Sequence, residues 1–578
     1  MSRAATRSRA RLPLVRALVL AGLLSACAVV PTSGPIEQGP VVDSGESTQF
    51  IRVIAAPPSS GAAPEEIVRG FLEASASLEQ DHAIARRYLQ PRAAQAWDAT
   101  AGTTIYDPAS LEVRARGPRV RVTLAVIGRL QPDGTLVNVV PAEELTLQFT
   151  LTQEPQESSR LPEWRITDPP DGVLISSTDL RRAYRPHQVY FLSRRAEVLV
   201  PDGRMLPVVG PSLPTALTEL VLQGPSGWLE PAVRTGIPAG TALALGAVPV
   251  TDGVAEVELS QEALSATDAQ RRDLASQLTW TLTQLPGVSA VRLVVAGEPY
   301  VVPGAPTLLD RGTWLAQAPD ALSLGTAGTL RPPSFVLDGD QVVRSTAVGR
   351  TTVAVEVPDA EQLLGLAVSL DQRRAATIAA DRRSLWVLPL EPVAGTPPLQ
   401  VPGGRITDVA FDVDERAWFV DAGRLRRVGG EGEPQDVPVA APGLSGITAL
   451  AMARDGARVA VAADGRVYVA ALQEQAGTVG LGTPMAADTL VGEVGDLAWA
   501  DATSIDVLGS LPEAGQQALQ VTVGSGQVQP LGVPPEPVSI AAAPASLSLV
   551  ATGEAQVLSN VGLQWREFTG GRAAAYPG

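Results

Sequence analysis

The sequence predicts a multidomain protein in which two α+β domains precede an all-β propeller of about six blades. Three observations predict this architecture. The chain has 578 residues, which is too long for one ordinary hydrophobic core. Its first half alternates helical and strand-like patterns. Its second half repeats one strand-and-turn unit, which indicates an array of similar small sheets.

The N-terminus has the layout of a secretory signal. Five arginines and no acidic residue precede an apolar segment, residues 17–26, that is too short to cross a bilayer as a helix. The segment leads into Leu24-Ser25-Ala26-Cys27, which resembles the bacterial lipobox. That resemblance implies that signal peptide 1–26 is removed. It also implies that Cys27 becomes a lipidated first residue, carrying S-diacylglycerol and an N-acyl chain.

The alternative is an ordinary signal peptide, with Cys27 left as a free thiol or lost with the peptide. Cys27 is the only cysteine, so it cannot form a disulfide within the chain, and a thiolate zinc site usually needs several.

Two or more acyl chains anchor a protein stably. Residues 27–61 are rich in Pro, Gly and Ser, and we predict a lipidated N-terminus followed by a flexible tether. The expected location is the extracytoplasmic face of the cell membrane.

The composition is acidic, with a formal net charge of −16. Phosphate backbones and anionic headgroups repel such a surface, which argues against nucleic-acid partners and electrostatic membrane binding. No apolar run after Cys27 has membrane-spanning length. Lysine is absent while Ala, Gly and Pro are abundant, which indicates a bacterial genome of high GC content.

Residues 62–178 predict the first α+β domain. Pro64 stands at the first position of a helix whose apolar residues recur at helical spacing. Strand-like runs follow at 120–130, 144–153 and 164–166. Helices followed by an antiparallel meander resemble the cone-shaped NTF2-like folds.

Residues 188–303 predict the second α+β domain. A strand at 189–192, a hairpin turn at 201–203 and a helix at 214–223 are each signalled locally. Thr267 and Gln270 form a capping box that opens another helix. One buried leucine stripe follows in that helix: Leu274, Leu278, Leu282 and Leu285.

The second domain also carries a specific resemblance. Its segments YFL, LVPDGRMLPV, ALTELVLQGP, IPAGTAL, GVAEVELS and LTWTLTQLPGVSAVRLVVAG follow one another in this order. In order and spacing they resemble the GerMN domain of sporulation and cell-envelope proteins.

Residues 311–570 predict the propeller. Five repeat copies align on Ala367, Ala410, Ala451, Ala498 and Ala541. Their spacing matches one four-stranded blade, which takes about 40–45 residues. Residues 311–357 have room for a sixth, more divergent copy.

Few side chains suggest chemistry. Trp386, Trp418 and Trp499 fall in repeat strands, where we expect packing between blades rather than a sugar-binding platform. The carboxylates of Asp412, Asp414 and Glu415 lack the Gly and distal Glu of a calcium loop, so we expect turn residues.

The two histidines, His82 and His187, belong to no recognisable metal motif, and we interpret both as ordinary surface or boundary residues. Because the propeller contains no histidine, a Ser-His nucleophile is not available there. We predict no catalytic residue, cofactor or metal site. Chemistry by two carboxylates stays open, because it leaves no linear signature.

A lipobox, an NTF2-like domain, a GerMN domain and a propeller occur in this order in the LpqB family of actinobacterial lipoproteins, which this chain resembles. The resemblance implies a non-enzymatic role as a partner of the extracytoplasmic part of the sensor histidine kinase MtrB. It also implies effects on signalling to MtrA, cell division and the envelope.

Two rival functions stay open from the sequence. One is an envelope sensor that binds cell-wall fragments at the GerMN domain or the propeller mouth. The other is a carboxylate-dependent glycan hydrolase.

Overall fold

The structure is a computed structural model. It describes residues 56–77, 82–154, 162–208, 213–323, 331–339, 341–346, 349–353, 363–390, 398–429, 433–440, 443–475 and 477–578. Cys27, the predicted signal peptide and most of the predicted tether lie outside these residues. No helix in the described part is long and apolar enough to cross a membrane.

The N-terminal domain is a curved sheet with helices packed on one face. Its helices are Pro64–Ser75, Ala83–Arg86, Pro91–Ala96 and Ser177–Ala183, with a 3-10 turn at Pro108–Ser110. Its strands are Thr103–Tyr106, Glu112–Arg116, Arg119–Leu130, Leu136–Glu154, Glu163–Ile166 and Val173–Ser176. The predicted helix and strands are confirmed.

The helix Pro64–Ser75 buries one face against this sheet. Ile67, Val68, Phe71 and Leu72 are each at most 2% exposed, and Phe71 meets the ring of Phe149 edge-on. Helical spacing places these side chains on one stripe, so burying that stripe fixes the helix on the sheet.

The middle domain contains two sheets and two main helices. Its helices are Leu213–Gln223 and Asp268–Leu282, with 3-10 turns at Glu230–Ala232, Gln261–Ser265, Arg311–Gln317 and Ala321–Ser323. One sheet contains Tyr184–Ser193, Leu199–Pro207 and Val233–Arg234. The other contains Val250–Thr251, Val254–Leu259, Ala290–Val295 and Glu298–Pro299.

The helix Asp268–Leu282 connects the two parallel strands of the second sheet. Its capping box is confirmed, because the Thr267 hydroxyl accepts the Gln270 N–H and the Gln270 side chain accepts the Thr267 N–H. The predicted leucine stripe is also confirmed, with exposures of 0% to 6%. The stripe packs into the core shared by both sheets.

The predicted hairpin turn at Pro201-Asp202-Gly203 is wrong. These residues lie inside the strand Leu199–Pro207, and the chain turns earlier, where the Ser193 N–H donates to the Val198 carbonyl. Asp202 is fully buried and binds Arg204 and Ser226, so its polar side chain serves a tertiary contact. Local turn chemistry cannot distinguish the two uses.

The propeller follows. In chain order, blade 1 contains Leu363–Val368, Arg374–Ala379, Ser384–Pro389 and Leu399–Pro402, and blade 2 contains Ile406–Phe411, Ala417–Asp421, Arg424–Val428 and Gln435–Asp436. Blade 3 contains Ile447–Met452, Arg458–Ala463, Arg466–Gln475, Thr478–Leu481 and Met485–Ala486. Blade 4 contains Gly492–Trp499, Ser504–Leu511, Ala514–Thr522 and Gln527–Gly532, and blade 5 contains Pro537–Ala541, Leu549–Thr552, Gln556–Val561 and Gln564–Gly570.

Blade 6 joins distant parts of the chain. Its outer strands are Ser334–Asp338, Gln341–Thr346 and Gly349–Val353, and its innermost strand is Ala573–Ala575. The innermost strand pairs antiparallel with Ser334–Asp338 through Phe335 opposite Ala575 and Leu337 opposite Ala573. The six sheets of the described residues therefore close a ring, and the predicted fold class of two α+β domains and a six-bladed propeller is confirmed.

The segment 311–323, which the sequence placed in the propeller, packs with the middle domain. Trp314 is 7% exposed and belongs to the core of that domain. Among the described residues, the first propeller strand begins at Ser334, and the last ends at Ala575. Because the Trp314 ring is buried in the core of the middle domain, this stretch does not form part of a blade.

The N-terminal and middle domains meet through a buried ionic network. The Arg204 side chain, which is 1% exposed, donates to the carboxylates of Asp133 at 2.5 Å and Asp202 at 2.6 Å. Arg204 also donates to the Thr135 hydroxyl. Removing the guanidinium would leave two carboxylates without their cation, so the network fixes how the domains dock.

Both leading domains also contact the propeller. Asn138 of the N-terminal domain donates to the Ala486 carbonyl of blade 3 at 3.0 Å. Arg195 of the middle domain pairs with Asp414 and Asp412 of blade 2. Gly203 lies so close to Gly524 of blade 4 that an added Cβ would stand 2.9 Å from the Gly524 Cα. Glycine at both positions therefore permits direct backbone contact.

Candidate functional site in the propeller channel

The innermost strands of the blades surround a channel with a cavity of about 110 Å³. Small residues line much of it, including Gly365, Ala410 and Ala574. The polar side chains at its wall are Asp408, Asp496, Ser539, Tyr576 and Arg454. We take this channel as the candidate functional site, because it gathers ionisable groups in a concave surface.

Asp408 and Asp496 hold equivalent places on the innermost strands of blades 2 and 4. Each lies beside an irregularity in strand pairing and links its blade to the next one. Asp408 accepts the Leu450 N–H of blade 3 at 2.8 Å, and Asp496 accepts the Ile540 N–H of blade 5 at 2.7 Å. Each also accepts the N–H of the following residue.

The two carboxyl groups are difficult to ionise. Burial raises the pKa of Asp408 to about 7, despite the two N–H donors. Burial, followed by the nearby charge of Asp408, raises the pKa of Asp496 well above its usual range. Near neutral pH the pair therefore retains protons that exposed aspartates have lost.

Arg454 closes one end of the channel. Its guanidinium is buried and donates to three backbone carbonyls, those of Pro577 at 2.8 Å, Trp499 at 3.1 Å and Ala542 at 3.0 Å. These carbonyls belong to blade 4, blade 5 and the closing segment. Burial lowers the pKa of Arg454 to about 10, so the side chain stays cationic at neutral pH.

The segment between the middle domain and the propeller lies at the Arg454 end. Burial and then the charge of Asp501 raise the pKa of Asp320 to about 6, while Arg454 and the Ala502 N–H act in the opposite sense. Arg458 donates to the Ala502 carbonyl and covers the Trp499 ring. The contact of Asp320 with the Ala502 N–H ties this segment to blade 4, and the Arg458 contacts join blade 3 to blade 4.

The channel offers two carboxyl groups that can bind protons, but its size does not suit glycan hydrolysis at this pair. A sugar ring needs a cleft, and small-molecule sites usually have volumes of roughly 300–1,000 Å³. The cavity beside Asp408 and Asp496 holds about 110 Å³, which is enough for a few water molecules. In the described part of the chain, no group of three or more His, Cys, Asp or Glu side chains has the arrangement of a metal site.

The structure separates the two histidines. His82 lies in the N-terminal domain, with its ring centroid 5.7 Å from that of Trp97. His187 lies in the strand Tyr184–Ser193, and its ring contacts the Arg185 carbonyl. Burial lowers the pKa of His187. The predicted site residue Cys27 lies outside the described residues.

The tryptophans pack between blades, as predicted. Trp418 is fully buried and donates to Asp412 at 2.9 Å, while Trp499 of blade 4 donates to the Ala451 carbonyl of blade 3 at 3.2 Å. Trp386 of blade 1 packs beside residues of blade 6.

The Asp412 carboxylate also accepts the N–H groups of Asp414 and Arg416, which confirms its predicted role as a turn residue. Sequence reasoning did not identify Asp408, Asp496 or Arg454. The available signal was an Asp two residues before the aligned alanine in two repeat copies, in TDVAF and GDLAW.

Comparisons with known proteins cover the three folded parts. Residues 57–181 match the N-terminal domain of lipoprotein LpqB, and residues 340–577 match the LpqB beta-propeller domain. Residues 188–301 match a family described as sporulation and spore germination. Among solved structures, the tandem GerMN domains of the Bacillus subtilis sporulation protein GerM are 20% identical, with 29% of this chain and 60% of that chain covered and a TM-score of 0.20.

Two curated relatives extend over almost the whole chain. Lipoprotein LpqB of Thermobifida fusca is 32% identical, with 97% of each chain covered. Lipoprotein LpqB of Streptomyces coelicolor is 30% identical, with 96% of each chain covered. The order of domains, the closed propeller and this full-length similarity lead to one conclusion: the chain belongs to the LpqB family of lipoproteins.

Proposed function

We propose that the protein is a lipoprotein anchored through Cys27 to the extracytoplasmic face of the cell membrane. There it binds the sensor domain of an MtrB-like histidine kinase and modulates signalling that affects the envelope and cell division. The full-length similarity to the LpqB lipoproteins carries this proposal. The role is binding rather than enzymatic, and the relatives are named lipoproteins.

The anchor supports the proposal through concentration. Lipid chains on Cys27 confine the body to the layer that contains the outer domains of membrane kinases, so a weak interface is enough for binding. Binding changes the kinase activity only when this protein prefers one kinase conformation over another.

An exposed apolar surface on the propeller supplies a contact for the kinase. We call it the seam of blades 4 and 5. It consists of Val533, Leu563 and Val561, which are 70%, 67% and 47% exposed. The side chain of Asn560 donates to the Leu531 carbonyl at 2.7 Å, which holds the two edges of the seam together. Exposed apolar residues that share one place on a surface commonly mark protein interfaces.

The charges around the seam indicate the character of the partner surface. Glu536, Arg566 and Glu567 are exposed and lie close in the chain to the apolar residues, so the acidic side chains there outnumber the basic one. Complementary charges favour association with the right partner and exclude surfaces of like charge. We therefore expect the kinase sensor domain to present apolar side chains flanked by basic ones.

The first experiment tests the seam with the substitution Leu563→Asp in the full chain. Recovery of the kinase sensor domain should fall about tenfold or more, because a charge replaces an interface anchor. Leu245→Asp is the matched control, since Leu245 is 69% exposed but belongs to the middle domain. Equal loss with both substitutions, or no loss with Leu563→Asp, would contradict the seam as the kinase contact.

The second experiment tests the anchor. Cys27→Ala should release the protein from membranes and reduce both kinase recovery and kinase-dependent signalling in cells. Mass spectrometry of the mature N-terminus should find acyl chains on Cys27. Full signalling by a freely soluble Cys27→Ala protein would show that lipid confinement is unnecessary.

A further inference from the structure

A second cavity lies at the rim of blades 1 to 3, away from the channel. Its volume is about 420 Å³, and its wall is mostly polar. Its charged lining consists of Arg374, Asp414, Glu415, Arg416, Arg427 and Glu433. Equal numbers of cations and anions line it, so the function of the cavity depends on which charges already have partners.

Arg427 is the cation without a counter-ion. Its residue is 8% exposed, its Nη2 donates to the Gln435 side-chain carbonyl at 3.2 Å, and its Nη1 has no hydrogen-bond partner. No carboxylate of the described residues forms an ion pair with it. Burying a guanidinium without a counter-ion and with an N–H group unpaired in the protein costs free energy, because the group loses its hydration.

Two of the three acids in the lining are committed to other groups, and the third, Glu433, is exposed and forms no ion pair with Arg427 among the described residues. Asp414 pairs with Arg195, and Arg416 lies 3.6 Å from the same carboxylate. Glu415 lies 3.7 Å from Arg374 and accepts the Asp371 N–H. Among the described residues, therefore, no carboxylate of the cavity wall lies within ion-pair distance of the Arg427 guanidinium.

Neighbouring charges increase this imbalance. Burial lowers the pKa of Arg427 most, followed by the charge of Arg416; Asp412 raises it, Arg195 lowers it less, and Glu474 raises it least. A cation close to a guanidinium favours an anion beside the pair.

We propose that this cavity binds an oxyanion, a carboxylate or phosphate group, through the guanidinium of Arg427 with Arg416 beside it. The flat fork of a guanidinium matches the spacing of two oxygens in either group. Nη1 is covered in the present conformation, so anion binding requires a local rearrangement of the cavity wall. This binding does not depend on the kinase interaction, so it goes beyond the proposed function.

The test uses the full chain in detergent, with inorganic phosphate and acetate as probes in Tris chloride buffer at fixed ionic strength. Thermal unfolding and titration calorimetry should show that at least one probe raises the Tm of the unsubstituted protein. Arg427→Gln should bind that probe about tenfold or more weakly and lose the Tm shift. Without the probe, Arg427→Gln should be at least as stable as the parent, because an uncompensated buried charge is gone.

Arg424→Gln is the matched control, since Arg424 lies on the same strand but is exposed and outside the cavity. It should respond to the probes as the parent does.

If Arg427→Gln fails to fold, Arg416→Gln should still weaken anion binding several-fold, because Arg416 is partly exposed. A response to phosphate alone identifies a phosphate ligand, and a response to acetate alone identifies a carboxylate. Equal Tm shifts in the parent and both cavity variants, or no response of the parent to either probe, would overturn the proposal.

Discussion

At the scale of single residues, the channel aspartates combine two tasks. Asp408 and Asp496 bridge neighbouring blades through backbone N–H groups, and their raised pKa values follow from burial in the channel wall. Their remaining exposed area faces the channel rather than bulk solvent. Each contact links two blades, so the protonation state of the pair is coupled to the stability of the ring.

The stability of the protein should depend on the protonation of Asp408. In the unfolded chain an aspartate has a pKa of about 3.9, whereas folding raises the pKa of Asp408 to about 7. Between these values the folded state binds more protons, so stability falls as pH rises towards 7 and then levels off. Between pH 5 and 8, the free energy of unfolding should therefore fall by about 1–2 kcal/mol less in Asp408→Asn than in the parent. This figure includes the screening of the carboxylate by water in the channel.

Urea unfolding at pH 5 and pH 8 measures this effect in the parent and the variant. Asp381→Asn provides the control, because Asp381 is an exposed aspartate of blade 1. If Asp408→Asn and Asp381→Asn show the same pH dependence as the parent, the channel pair does not contribute to it.

Residue roles differ in how far the sequence predicts them. The inward position of Trp418 was predictable, because aromatic residues in repeat strands normally fill cores. Arg454 and Arg427 were not predictable, because Arg454 depends on carbonyls from other blades and Arg427 on charges from other segments of the chain.

At the scale of elements, ring closure depends on one short strand. Ala573–Ala575 completes blade 6, and Arg454 binds the Pro577 carbonyl just beyond it. The strand consists of three alanines, so its stability comes from backbone pairing and small-residue packing rather than from large side chains.

Deletion of residues 572–578 should open the propeller. Blade 6 would lose its innermost strand, and Arg454 would lose one of its three carbonyl partners, with a cost of about 3 kcal/mol or more. Hydrogen exchange should then increase in Ser334–Asp338 while the helix Asp268–Leu282 of the middle domain keeps its protection. Unchanged exchange in Ser334–Asp338 would show that the ring closes without this strand.

Elements with local signals were predicted well. The capping box at Thr267, the leucine stripe and five of the blades follow from spacing along the chain. The turn predicted at Pro201-Asp202-Gly203 failed because the same residues serve a buried ion pair and a close backbone approach.

At the scale of the whole molecule, the three domains contact one another through specific short-range contacts. The Asp133–Arg204–Asp202 network joins the N-terminal and middle domains, and Gly203 brings the middle domain against Gly524 of the propeller. These contacts join each domain directly to its neighbour.

Gly203→Ala should loosen the contact between the middle domain and the propeller. The new methyl group would lie 2.9 Å from the Gly524 Cα and 3.3 Å from the Val523 carbonyl oxygen, so the backbones must separate. We expect a loss of about 1–3 kcal/mol and a larger radius of gyration by small-angle X-ray scattering.

Gly227→Ala is the control for this substitution, because no atom lies within 4 Å of its added methyl group. Both variants exchange glycine for alanine in the same domain. A radius of gyration that stays the same in Gly203→Ala as in Gly227→Ala would contradict the steric role of Gly203.

The sequence by itself determined the local elements, the order of the domains and the repeat that becomes blades, because periodicity and capping act between residues a few positions apart. Only the tertiary structure decided which strand closes the ring, where Asp408 and Asp496 gather, and why Gly203 must lack a side chain. These features join positions far apart in the chain, such as Leu337 with Ala573 and Gly203 with Gly524. No local pattern encodes such contacts, because they form only after separate elements have packed together.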